Sequence, residues 1–189
     1  MSADLAAERT NMVDSQVRPS DVPDLAIQDA MRAVAREDLV PAGKRHLAYA
    51  DAEIEYAPGR WMLRPREVAK LLQALRPRAG ETCLAIAAPY AAAVLEAMGL
   101  AVIRLDAGET ILDGASYDLM VCEGAVTRAP AAWLAALAPG GRLGVVERDG
   151  PVGRAMLYLR SAGAVGSLPL FDSTPPILAG FEAPRGFVF

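Results

Sequence analysis

Apolar residues recur along this chain with different spacings, and the texture changes near residue 64. Beyond Pro65, Val68, Leu71, Leu72 and Leu75 fall at i, i+3, i+4 and i+7, the stripe of an amphipathic helix. Pro65 is tolerated as its opening residue, and Pro77 and Gly80 stop it. Thr82–Ala87 is a continuous apolar run, as expected of a strand covered on both faces. Ala91–Met98 predicts a helix ended by Gly99, and Ala101–Leu105 a second buried strand. Tyr117–Cys122 predicts a third strand and Pro130–Leu137 a helix. A fourth strand, Arg142–Glu147, follows Pro139-Gly140-Gly141. Arg154–Arg160 and Val165–Phe171, joined through Ser161-Ala162-Gly163, predict a terminal antiparallel hairpin at one side. This alternation predicts an α/β fold: five to six strands, mostly parallel, with Thr82–Ala87 near the middle and helices on both faces.

The first 64 residues read differently. Leu25, Ala30, Met31 and Val34 keep helical spacing behind Pro23, predicting a helix over Asp24–Ala35. Leu39-Val40-Pro41, Arg45–Tyr49 and an irregular stretch to Arg64 follow. Residues 1–64 are therefore expected to form a helical, loop-rich segment packed on a main body of residues 65–189, together one globular unit.

Composition narrows the class. The 189 residues allow one domain, and the 53% apolar fraction supports a sizeable core, although 37 alanines limit the side-chain area available. A net charge of −4 supplies no basic field, so neither nucleic acid nor a membrane surface is expected as a partner. The longest apolar run, Cys83–Leu95, is 13 residues and holds Pro89. That is short of the roughly 20 that cross a bilayer. No apolar stretch of signal-peptide type opens the chain, and a cytoplasmic protein is expected. Cys83 and Cys122 stand in no CxxC and far from His46, so no metal site, disulfide framework or redox role is assigned. His46 has no nucleophile pattern beside it and reads as structural.

Several strings resemble the protein-L-isoaspartate O-methyltransferase family. They are Met12-Val13-Asp14-Ser15-Gln16-Val17; Arg36-Glu37-Asp38-Leu39-Val40-Pro41; His46-Leu47-Ala48-Tyr49-Ala50-Asp51; Gly59; Pro65 opening a helix; and Ala138-Pro139-Gly140-Gly141-Arg142-Leu143. The resemblance runs from about residue 8 to the end. It implies a Rossmann-like class I methyltransferase fold with S-adenosylmethionine as cofactor. It also implies methylation of isoaspartyl carboxylates in a protein or peptide substrate, the first step of protein repair.

The chain departs from the family pattern at three places. The glycine-rich turn after the first strand lets backbone approach a nucleotide-type ligand. Here it reads Cys83-Leu84-Ala85-Ile86-Ala87-Ala88-Pro89-Tyr90, without glycine and with a proline that removes an amide donor. Asp106 stands where the resemblance puts the acid on the cofactor ribose, and Asp113-Gly114 stands for the family's D-G near the adenine. Only seven residues separate Asp106 from Asp113, too few for the expected helix and strand, so one edge strand is expected to be deleted. Finally, the T-x-S-x-P of the substrate side has become Trp61-Met62-Leu63-Arg64-Pro65. Trp61 and Met62 form either an exposed apolar lip for a peptide or a cover of the core, and Leu63 takes a hydroxyl position.

The vestigial cofactor positions are thus Ala87, Ala88, Asp106, Asp113 and Gly114, and the substrate positions Trp61, Met62 and Leu63. No catalytic residue and no metal ligand is assigned. Asp106 and Asp113-Gly114 read equally as turn formers, and Glu123-Gly124-Ala125 lies where such an enzyme lines its pocket. Two readings stay open: a degenerate family member acting as a protein-binding or assembly module without bound cofactor, and an active S-adenosylmethionine-dependent methyltransferase. Losing the outer strand would bare the edge of Ala101–Leu105. Either the N-terminal segment or the loop after Asp106 covers it, or a homodimer forms through it.

Overall fold

The computed structural model describes residues 2–182. Helix α1 spans Ser2–Met12 and runs into one π-helical turn, Val13–Val17, and a 3-10 turn, Arg18–Ser20. Helix α2, Leu25–Ala33, is capped by the Asp24 carboxylate, which accepts from the amides of Ala26 and Ile27. That satisfies donors that have no partner within the helix. Two 3-10 stretches, Arg36–Leu39 and Ala42–Leu47, precede a small antiparallel pair, β1 (Ile54–Ala57) and β2 (Arg60–Met62).

The stretch expected to be irregular therefore contains a hairpin. Pro58-Gly59 makes its turn, and Gly59 has a φ of +66°. A Cβ there would stand 2.6 Å from that of Ala179, so the turn also serves a close approach of the C-terminal segment. Alternation of apolar and polar residues is too short in a three-residue strand to reveal this from sequence.

The main body follows the predicted order. Helix α3 is Pro65–Leu75, β3 Thr82–Ile86, α4 Pro89–Ala97, β4 Ala101–Leu105, β5 Tyr117–Val126, α5 Ala131–Ala135, β6 Leu137–Asp149, β7 Val152–Ser161 and β8 Ala164–Asp172. They form one sheet in the order β4-β3-β5-β6-β7-β8. The first four neighbours are parallel, and β7 and β8 add an antiparallel meander. A mostly parallel Rossmann-like α/β sheet with a terminal hairpin is thus what the chain forms.

Four expectations are adjusted. β3 lies one place in from the edge rather than near the middle, because nothing pairs outside β4 while β7 and β8 extend the opposite side. Helix α4 begins at Pro89 instead of Ala91, with the proline at a first-turn position that needs no donor. α5 is shorter than Pro130–Leu137, because Leu137 is taken into the β5–β6 ladder opposite Tyr117. The loop between Asp106 and Ser116 holds no helix or strand, but it does not cover the β4 edge. It turns back instead, burying Ala107 in the core beside Leu84 and Ile86. Ile103 stays 54% exposed.

Two apolar layers hold the sheet. On one face Val68, Leu71, Leu72 and Leu75 of α3 and the apolar α4 pack with Cys83, Leu119, Val121 and Val146. Met12, Val13, Val17, Ile27 and Met31 belong to the same cluster, which fastens the N-terminal segment to the sheet. The other face packs Leu84, Ile86, Met120, Leu143 and Val145 against Trp133 and Leu178. No helix among the described residues is long and apolar enough to cross a membrane.

Candidate functional site

In an open α/β sheet a ligand crevice lies beyond the carboxyl ends of the strands, where the strand order reverses. That point falls between β3 and β5, and beside it, over the ends of β3 and β4, opens a cleft of about 210 Å³. Ala87, Ala88 and Pro89 line it from the β3–α4 turn, Asp106 from the end of β4, and Tyr56 from the hairpin β1–β2. The fold thus brings together Ala87, Ala88 and Asp106. Asp113 and Gly114 lie in an exposed turn and do not line it.

The backbone at the β3–α4 turn keeps a glycine-like shape without glycine. Ala87 adopts φ +46° and donates its amide to the Leu105 carbonyl at 2.8 Å. An L-residue in this region costs roughly 1–2 kcal/mol. Ala88 caps α4 with no side-chain oxygen of its own, so the first amides of the helix need an acceptor from elsewhere.

Glu123 supplies it. Its fully buried carboxylate accepts from the Tyr90 and Ala91 amides through Oε1, both at 2.8 Å, and from the Leu63 amide through Oε2 at 3.0 Å. Burial pushes its pKa above the ordinary carboxylate range, opposed by Arg36 and by these three amides. Arg36 is itself fully buried, its Nε donating to the Ala48 carbonyl and its Nη2 to that of Leu63, both at 2.8 Å. Its guanidinium lies 4.3 Å over the Tyr90 ring, and burial draws its pKa below the usual arginine value. Leu63 thus joins the acid to the base through one peptide unit on each side.

Asp106 is also occupied. Arg60, the first residue of β2, forks onto it with Nε–Oδ1 at 2.7 Å and Nη2–Oδ2 at 2.9 Å. This pairing, foremost, holds the Asp106 carboxyl below its usual pKa. Arg60 Nη1 reaches the Ala179 carbonyl at 3.3 Å, and the Ala179 amide donates to Gly59 at 3.2 Å. The C-terminal segment therefore straps the hairpin down. Beside it, Leu178 is fully buried against Gly124, where φ is +91° and a Cβ would stand 2.6 Å from Leu178 Cδ2.

The substrate positions are split. Trp61 is half-buried, whereas Met62 and Leu63 are fully buried and cover the core rather than forming an exposed lip. Cys83 and Cys122 are both free and buried; burial, foremost, raises the Cys83 thiol to about 11. Among the described residues no three His, Cys, Asp or Glu side chains gather as a metal set.

Comparison with known proteins settles the family. A protein-L-isoaspartate O-methyltransferase of Methylorubrum extorquens is 34% identical over 188 residues, covering 85% of this chain and 82% of that one. The chain belongs to the protein-L-isoaspartate O-methyltransferase family. A Methylorubrum populi relative of the same name is 33% identical, covering 83% of this chain and 87% of its own. Among solved structures, a Plasmodium falciparum chain described as a protein-L-isoaspartate O-methyltransferase, in complex with S-adenosyl-L-homocysteine, superposes with a TM-score of 0.75. It is 13% identical and is covered over 97% of its length, a likeness of fold. No family model matches the chain.

Membership gives the family strings a structural role. Gln16 donates to the Tyr49 carbonyl at 2.8 Å, the Tyr49 hydroxyl donates to Glu37, and Arg9 bonds both Tyr49 and Glu37. With Arg36 they brace the N-terminal segment. Sequence reasoning singled out Glu123 only by position, named Arg36 only within a family string, and missed Arg60. An acid inside the apolar run Leu119–Val126 was a readable signal, since a buried charge demands partners. Nothing marked Arg60 as the partner of a residue 46 positions away.

Proposed function

We propose that this family member is a pseudoenzyme: a protein-binding or assembly module that does not use S-adenosylmethionine. The single observation carrying this reading is that the one carboxylate lining the cleft, Asp106, and the first free amides of α4 beside it are already paired within the chain. Arg60 takes both oxygens of Asp106, and Glu123 takes the first free amides of α4. Cβ atoms of Ala87, Ala88 and Pro89 stand where glycines would leave room, and the cleft of about 210 Å³ is below the roughly 300 Å³ of ordinary ligand sites. These residues do not fit the family cofactor. To bind it, the chain would break the Arg60–Asp106 fork and turn out a buried carboxylate. Losing three or four hydrogen bonds at about 0.5–1.5 kcal/mol each weakens a micromolar ligand by roughly one to four orders of magnitude.

The test is transfer of a labelled methyl group from S-adenosylmethionine to an isoaspartyl peptide. The expected result is no incorporation above a protein-free control. Turnover proportional to protein concentration would restore the alternative, an active isoaspartyl methyltransferase.

A further inference from the structure

We infer that the face of the sheet beside α3 is a docking groove for an amphipathic α-helix with acidic flanks, presented by a protein partner. The inference rests on the reading of the chain as a binding module and names where its partner sits.

The argument begins with the layer of helices. On this face α4 packs over β3 and β4, and α3 over β6, with Leu71 and Leu75 against Gly144. Strands β7 and β8 continue the sheet past α3, which packs chiefly on β6 and also meets β7. Two strands are about 10 Å across, and a helix with its side chains measures about 10–12 Å. The strip left open beyond α3 therefore takes one helix at most.

The floor is apolar. Leu157 and Leu168 are cross-strand partners, with Leu159, Leu170 and Phe171 around them, and the groove they line has a volume of about 840 Å³. Leu159 is 45% and Leu168 57% exposed, although both belong to a face that elsewhere forms core. Scattered exposed leucines are ordinary, but several on one concave face mark an interaction site.

The rim fixes the sign of the partner. Lys70, Arg76 and Arg78 line the groove, and none of them has a carboxylate within salt-bridge distance among the described residues. Lys70 lies 4.5 Å over the Phe171 ring. Asp21 is the one acid in the lining, whereas the whole chain carries −4. Three unpaired cations on an otherwise acidic protein complement acidic residues flanking an apolar stripe. Strand addition at β8 is disfavoured because Pro169 takes a donor out of that edge. The face, not the edge, is the surface offered.

The test is selection from a displayed library of peptides of about 14 residues, roughly 21 Å of helix, against the full chain. The expected winners carry Leu, Ile or Met at i, i+3 or i+4, and i+7, with net negative charge. Leu168→Asp should weaken them about tenfold or more, and Arg76→Glu with Arg78→Glu several-fold. Raising salt from about 50 to about 500 mM should weaken them as well. Leu168, Arg76 and Arg78 are all exposed, so an unchanged melting curve shows that the variants fold. Absence of enrichment, basic winners, or binding indifferent to Leu168→Asp would overturn the inference. So would a wild-type dimer that Leu168→Asp makes monomeric, which assigns the groove to a second copy. Co-sedimentation with anionic vesicles lost in the same variant would assign it to lipid and overturn it too. Cofactor binding with intact peptide selection would overturn the pseudoenzyme reading alone; failed selection without cofactor binding would overturn this one alone.

Discussion

Two polar clusters of this chain teach different things. Around Tyr49 and Arg36 the family residues keep a brace in which Gln16, Arg9 and Glu37 all find partners within the N-terminal segment. At the ends of β3 and β4, Asp106 is forked by Arg60 and the first amides of α4 are taken by Glu123. The difference separates what the fold needs from what a ligand needs. A brace must hold whatever the cleft does. On the proposed reading the cleft holds no ligand, and its polar groups pair within the chain because a buried group without a partner is costly.

The strongest test of this contrast is Arg36→Ala. It strips donors from the Ala48 and Leu63 carbonyls and leaves Glu123 without its counter-charge, so a loss of about 3–5 kcal/mol is expected in denaturant unfolding. An effect under 1 kcal/mol would remove Arg36 from the brace. Glu123→Gln comes next. Its amide keeps one acceptor but turns two hydrogens toward N–H donors, and about 1–3 kcal/mol should be lost. Stabilisation by this change would mean that burial of the charge outweighs its amide contacts.

Ala87→Gly should act in the opposite direction. It relieves a left-handed alanine at φ +46° and should stabilise by about 0.5–1 kcal/mol, net of the extra chain entropy of glycine. A destabilised variant would show that the Cβ of Ala87 is packing rather than strain. The smallest effect belongs to Arg60→Ala, within about 1 kcal/mol because Asp106 is half exposed. Its signature is local. Arg60 lowers the Asp106 pKa, so the fork is fully present above the unfolded value near 4 and is lost as pH falls through the lower folded value. Trp61, the next residue on β2, should report release of the hairpin in acid. In Arg60→Ala that transition should vanish.

How much of this was legible follows the range of the interactions. The α3 stripe and the doubly buried β3 are written in adjacent residues, and periodicity reads them. The shortened loop after Asp106 is likewise a matter of counting, and it leaves β4 at the edge with Ile103 exposed. The hairpin β1–β2 escaped because strands of four and three residues have no readable period. The closure of the cleft escaped for another reason. Glu123 to Tyr90, Arg60 to Asp106 and Ala179 to Gly59 join residues 33, 46 and 120 positions apart, and only the folded chain sets those pairs side by side. The departures from the family pattern are visible in the sequence; the long-range pairs at Asp106 and Glu123 are visible only in the fold.

The central claim, that the chain fills its own cofactor cleft, is tested most directly by calorimetric titration of the full chain with S-adenosylmethionine and with S-adenosylhomocysteine. The account predicts no saturable heat in the low micromolar range of either ligand, any half-saturation standing at least about tenfold above it. A dissociation constant in the low micromolar range, with Ala87 and Asp106 at the bound ligand, would contradict it.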